Sequence, residues 1–118
     1  MAGTLTIDTL KASSGVLATQ NGMTGIAKAW VNYNSSSQVI NSSFNVSSIT
    51  YVSTGTWTVN FATAFSDANY AVAGLSSGGN VAMSTSGTPT ASSCTMFVWY
   101  PTNNAYSSAF QTAVFFHS

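Results

Sequence analysis

The chain has 118 residues with two lysines, two aspartates and one histidine, no Glu and no Arg, and a formal net charge of zero. Such a balance excludes nucleic acid as a partner, because phosphate binding draws its affinity from Lys and Arg, and it leaves little for acid–base chemistry. It also argues against anionic membrane surfaces, and no apolar run approaches the ~20 residues needed to cross a bilayer.

Solubility falls to 20 Ser, 16 Thr, 10 Asn and 3 Gln. Ser, Thr and Asn compete with a helical backbone through their own hydrogen bonds, whereas Thr, Val, Ile and the 15 aromatic residues suit a pleated sheet. One all-β domain is expected. The single cysteine, Cys94, cannot form an internal disulfide, so stability has to come from packing or from other chains. MAGTLTIDTL lacks the basic start and apolar centre of a signal peptide, which points to synthesis in a cytoplasm.

In chain order, residues 1–24 read as an extended N-terminal arm: TLTIDTL sets Leu5 and Ile7 against Thr4, Thr6 and Asp8, and a lead-in of small residues follows. Residues 25–118 read as strand, turn, strand. GIAKAWVNYN places Ala27, Ala29, Val31 and Tyr33 on one face and Ile26, Lys28, Trp30 and Asn32 on the other. NSSS at 34–37 is a turn, followed by a short QVI strand and SFNVSSITYV. SITYVSTGTWTVNF is a hairpin turning at Ser53, Thr54 and Gly55. FSDAN turns the chain into the strand NYAVAGL, and SSGGN turns it back into VAM at 81–83. SGTPT is a loop, CTMFVWY suits a central strand covered on both faces, PTNNAYSS loops out, and AFQTAVFFH closes the chain. Seven or eight short strands at this spacing predict a compact antiparallel β-sandwich.

Such a sandwich has one difficulty. Trp30, Phe97, Trp99, Phe115 and Phe116 cannot all point inward if Val31, Met96, Val98 and Val114 do. Burying each ring is worth ~2 kcal/mol, so packing between subunits of a symmetric assembly is the expected sink for these five, and it also protects sheet edges.

Reactive constellations are thin. GLSSG at 74–78 matches a hydrolase nucleophile elbow, with Asp67 and His117 available to complete a Ser–Asp–His order, but no helical pattern follows Ser76 as that elbow requires. Asp8 and Asp67 are the only carboxylate side chains, and Asp67 reads as a turn former. His117 lacks a second histidine in the chain, so a metal would need copies converging on a three-fold axis. Cys94 reads as a buried small hydrophobe. No cofactor is expected. Aromatics among amides and hydroxyls suit sugars, which stack on rings while Asn and Ser bond the hydroxyls; Tyr33, Asn34, Asn80, Asn103, Asn104 and Tyr106 are the candidate glycan or receptor contacts.

GIAKAWVNYN followed by SFNVSSITYVSTGTWTVNFATAFSDANYAVAG resembles the domain found at the C-terminal end of tail-fibre and related virion proteins of tailed bacteriophages. The resemblance spans residues 25 to about 74 and, more loosely, the final strands, with AKAWVN and SFNVSSI its most specific parts. It implies a compact β-structure that trimerises and faces the host or the medium. Only 24 residues precede Gly25 here, so anchoring to other virion proteins falls to the arm, through Leu5 and Ile7 in an added strand. The expectation is therefore a non-enzymatic homotrimeric virion surface protein of tail-fibre type, made in the host cytoplasm and exposed for host-surface attachment. Its alternatives are a capsid decoration or head-fibre protein and, further off, a free carbohydrate-binding module.

Overall fold

The computed structural model describes residues 3, 26–78, 82–99 and 104–117. These residues form eight strands and no helix: β1 (Ala27–Asn34), β2 (Val39–Phe44), β3 (Val46–Ser53), β4 (Thr56–Phe61), β5 (Ala71–Ser76), β6 (Ala82–Thr85), β7 (Ser93–Trp99) and β8 (Gln111–Phe116). Two four-stranded antiparallel sheets result, sheet A in the order β2-β1-β8-β5 and sheet B in the order β3-β4-β7-β6. The all-β expectation is met, with turns at 35–38 and 54–55 as expected, but SFNVSSITYV is divided at Asn45 between β2 and β3, and the end of the SSGGN turn lies outside the described residues. The arm residues Leu5 and Ile7 lie outside the described residues.

One run, residues 39–53, supplies an edge to both sheets by changing sheet at Asn45. There φ is 55°, a left-handed conformation that Asn tolerates better than most residues. Its side chain locks the corner. Asn45 Nδ2 donates to the carbonyls of Lys28 and Thr63, both at 3.1 Å, and Oδ1 accepts the Thr63 N–H at 2.7 Å. Opposite this corner the β1–β8 register shifts between Ala27 and Ala29, and Lys28 is buried at that irregularity instead of lying open beside Trp30 as its place in the alternation suggests.

The core forms where the inward sets of the four central strands meet: Ala29, Val31 and Tyr33 of β1, Trp57, Val59 and Phe61 of β4, Cys94, Met96 and Val98 of β7, and Ala113 and Phe115 of β8. Aromatic contacts knit it together, Tyr33 against Trp57 with centroids 5.0 Å apart and Phe61 edge-on to Phe115 at 4.9 Å. β7 is less covered than its composition suggests. Its outer residues Ser93, Thr95, Phe97 and Trp99 are only half-buried, because among the described residues no further layer lies over sheet B.

A polar pair crosses the core. Gln111, fully buried, accepts the Trp57 indole N–H at 2.8 Å, while its own Nε2 donates to the Tyr106 carbonyl and to Ser76 Oγ, both at 3.2 Å. The bond joins β4 of sheet B to β8 of sheet A. Gly55, at the β3–β4 turn, has φ 75° and no room for a side chain, since a Cβ would fall 2.5 Å from the Val98 carbonyl oxygen. Its carbonyl accepts the Val98 N–H at 2.8 Å, which fastens the hairpin to β7.

Gln111→Leu keeps the volume but strands the indole N–H of Trp57 in the core. The expected loss is about 1–3 kcal/mol, read from the urea midpoint, with the slope of the transition unchanged.

Candidate functional site

The residues left outside the core form two faces of unlike chemistry. On sheet A the register sets Phe44, Trp30, Val114 and Ala73 side by side across all four strands. Phe116 and Ala71 form a pair on one side of that row, and Leu75 stands beyond it on the other. Leu75 is 71% exposed, Phe44 37%, Trp30 36% and Phe116 36%. The polar residues interleaved on the outer face, Ser42, Asn32 and Thr112, are uncharged. The footprint of such a four-stranded face, its polar members included, is about 400 Å² from ordinary strand spacings, the size of the largest patch on an ordinary monomer, which is often functional.

The outer face of sheet B is instead a carpet of hydroxyls and amides. Ser48, Asn60 and Ser93 lie in one row and Thr50, Thr58 and Thr95 in the next; Thr56, Phe97 and Ser84 follow, then Trp99 beside Ala82. Asn60 Nδ2 donates to Ser48 Oγ at 3.1 Å and Thr50 Oγ1 at 2.9 Å, and the Thr58 and Thr95 hydroxyls are 2.7 Å apart.

The five rings expected to be surplus thus divide three ways. Trp30 and Phe116 belong to the apolar face of sheet A, whereas Phe97 and Trp99 stand on sheet B, 5.9 Å apart. Phe115 is corrected. It is fully enclosed against Phe61 and Tyr70, so it is a core residue and supplies nothing to a subunit interface. Sequence reasoning missed Phe44, Leu75, Ala71, Ala73 and Val114 as members of the sheet A face. The alternation within β5 carried a signal, since Ala71, Ala73 and Leu75 share parity.

Among the candidate glycan contacts, Tyr33 is also corrected. It is buried against Trp57, and burial pushes its hydroxyl pKa up. Asn34 Oδ1 accepts the Ser37 N–H at 3.0 Å and shapes the β1–β2 turn. Asn104 is exposed and Tyr106 half-buried, its backbone tied to Val98 and Gln111. Asn80 and Asn103 lie outside the described residues.

The hydrolase arrangement is not assembled. His117 Nε2 does lie 2.8 Å from Asp67 Oδ1, but the β5–β8 register pairs Ala71 with Phe116 and Ser76 with Gln111, which places Ser76 about 17 Å along the sheet from that end. The Ser76 hydroxyl accepts from Gln111 and lies 3.2 Å from Ser108 Oγ. Asp67 is the turn former expected, accepting the Asn69 N–H at 2.8 Å, and the His117 ring also stacks on Phe65. These contacts clasp the end of β8 to the β4–β5 loop. The hydrogen bond from His117 is the largest influence holding the Asp67 carboxyl below its ordinary pKa of 3.8. Cys94 is buried as expected, and burial raises its thiol pKa, which keeps it inert. Among the described residues no group of three or more His, Cys, Asp or Glu side chains is placed to hold a metal.

No family model, curated protein or solved structure matches the chain.

Because the folded-state pKa of Asp67 lies below its ordinary value, the clasp contributes its stability above pH 3.8 and loses it as the pH falls through the lowered value. Asp67→Asn should therefore melt below the wild type at pH 5 and converge with it towards pH 2, as followed by thermal denaturation at both values.

Proposed function

We propose that the chain is a non-enzymatic structural component of a bacteriophage particle, of tail-fibre type, whose working form is a homotrimer with the outer faces of its A sheets turned towards one another. The observation that carries this reading is the apolar row Phe44–Trp30–Val114–Ala73 with Phe116 and Leu75 beside it, open to solvent in the lone subunit. Each ring taken from water adds about 2 kcal/mol at ordinary transfer values. Zero net charge means that copies do not repel one another through net charge. The face suits sister copies, and the resemblance of residues 25–74 to phage fibre domains favours three of them.

A face of about 400 Å² is roughly half of one partner's share in a standard interface. The arm closes that gap in this reading: Leu5 and Ile7 add a strand to an edge, either of a sister copy or of the virion protein to which the trimer is anchored. Residues 39–53 offer such an edge, with no charge and no proline along their length. Sheet B, on the opposite side of each subunit, is left to meet the host surface.

Sedimentation equilibrium at tens of micromolar is expected to give three times the 12.2 kDa chain, and Trp30→Ser combined with Phe116→Ser should give the single chain with its fold retained. A wild type that sediments as a monomer overturns the reading. Antibody labelling of intact particles then places the protein, with label on the tail expected and label on the head reassigning it to the shell.

A further inference from the structure

We infer that the outer face of sheet B is a binding site for a neutral glycan chain, with Phe97 and Trp99 as its stacking platform and Ser48, Thr50, Thr58, Asn60 and Thr95 as its hydrogen-bonding floor. The site differs from the loop residues that the sequence singled out and depends on neither the number of copies nor the particle's identity.

Three observations point to this class of ligand. The first is chemical matching. Phe97 and Trp99 stand two residues apart on β7 with ring centroids 5.9 Å apart and planes inclined by 32°, a nearly continuous apolar step of the kind on which the C–H faces of sugar rings stack. Apart from Ala82 beside Trp99, the rows that follow carry hydroxyls and an amide and, among the described residues, no ionised group. A charged ligand finds no counter-ion there, and a purely apolar one would strip water from the hydroxyls without replacing it.

The second is preorganisation. The Asn60 amide nitrogen donates to both Ser48 Oγ and Thr50 Oγ1, so each of these hydroxyls has an acceptor position filled and its own proton left to donate outward. Thr58 and Thr95 share one proton between their oxygens at 2.7 Å, leaving the second proton to point elsewhere. The floor therefore keeps hydroxyl protons on three strands free to turn towards the oxygens of a ligand lying over them. A sugar, which carries both donors and acceptors at short intervals, fits such a row.

The third is an incomplete hydrogen bond at the aromatic end. The indole N–H of Trp99 is buried and has no acceptor among the described residues. Native structures rarely leave such a donor unpaired. A ligand hydroxyl, or a water carried in by one, would complete it, as Gln111 completes the indole of Trp57 in the core.

The test uses the full chain and hexasaccharides of glucose, mannose, galactose and N-acetylglucosamine, titrated by calorimetry and by saturation-transfer NMR. At least one is expected to bind, with an affinity unchanged between 50 and 500 mM salt on the order-of-magnitude scale that screening would affect. Phe97→Ser is expected to weaken binding about tenfold or more, one decade being about 1.4 kcal/mol. Thr58→Val with Thr95→Val, which retains β-branched shapes and so the strands, should do the same if the ring variant fails to fold. Leu75→Ser, on sheet A, should leave the intrinsic affinity of a single subunit unchanged. Binding by none of these glycans, or binding that survives both the ring and the hydroxyl variants, overturns the site while leaving the trimer reading intact. Conversely, a monomer that binds glycan through sheet B supports the site and removes only the trimer.

Discussion

The period of a strand governs this molecule. Successive side chains point to opposite faces, and β1 and β8 carry apolar residues at both parities. Seating Ala29, Val31 and Tyr33 against Ala113 and Phe115 in the core therefore forces Trp30, Val114 and Phe116 out on the far side. Moving either strand by one residue would exchange the two sets completely, and the one irregularity in this pair, between Ala27 and Ala29, lies at its end and leaves the sets from Ala29 onward in place. β4 and β7 obey the same rule with a different outcome: their expelled residues are mostly Thr, Ser and Asn, with Phe97 and Trp99 at one end. The two sheets share a core but differ on their outer faces.

That asymmetry orders the functional reading. An apolar face suits sister copies, a hydroxyl face suits a neutral ligand, and a sandwich keeps the two a full molecule apart. Shortage of charge suits both proposed roles, since it brings neither repulsion between copies nor a salt-dependent ligand. The one ion pair described, His117 with Asp67, lies away from both floors and fastens the end of β8 to the β4–β5 loop.

Much of the fold was legible in the sequence because it rests on local signals. The hairpin from Ile49 to Phe61 follows from strict alternation around Gly55, the Asp67 turn from an aspartate that bonds its own backbone, and the burial of Cys94 from an apolar strand without a neighbouring cation. The parity of β8 was not legible. Gln111 shares a face with Ala113 and Phe115, and an amide in that set argues for turning it towards water. The structure buries it because Trp57, Ser76 and Tyr106, distant in sequence, satisfy its donors and acceptor. Phe115 consequently goes inside and Phe116 outside. Tyr33 was misplaced for a related reason: it follows Ala29 and Val31 into the core although it borders a polar turn. The row on sheet A could not be read strand by strand, since Phe44, Trp30, Val114 and Ala73 come from four segments that only long-range register aligns.

Cover of sheet A by sister copies is tested most directly by hydroxyl-radical footprinting of the native protein at tens of micromolar, comparing Trp30 with Trp99. In a lone subunit Trp30 is the more exposed of the two and oxidises first. Assembly through sheet A reverses that order, protecting Trp30, Phe44 and Phe116 together while Trp99 keeps the reactivity of a single subunit. Oxidation of Trp30 ahead of Trp99 at every concentration would contradict it.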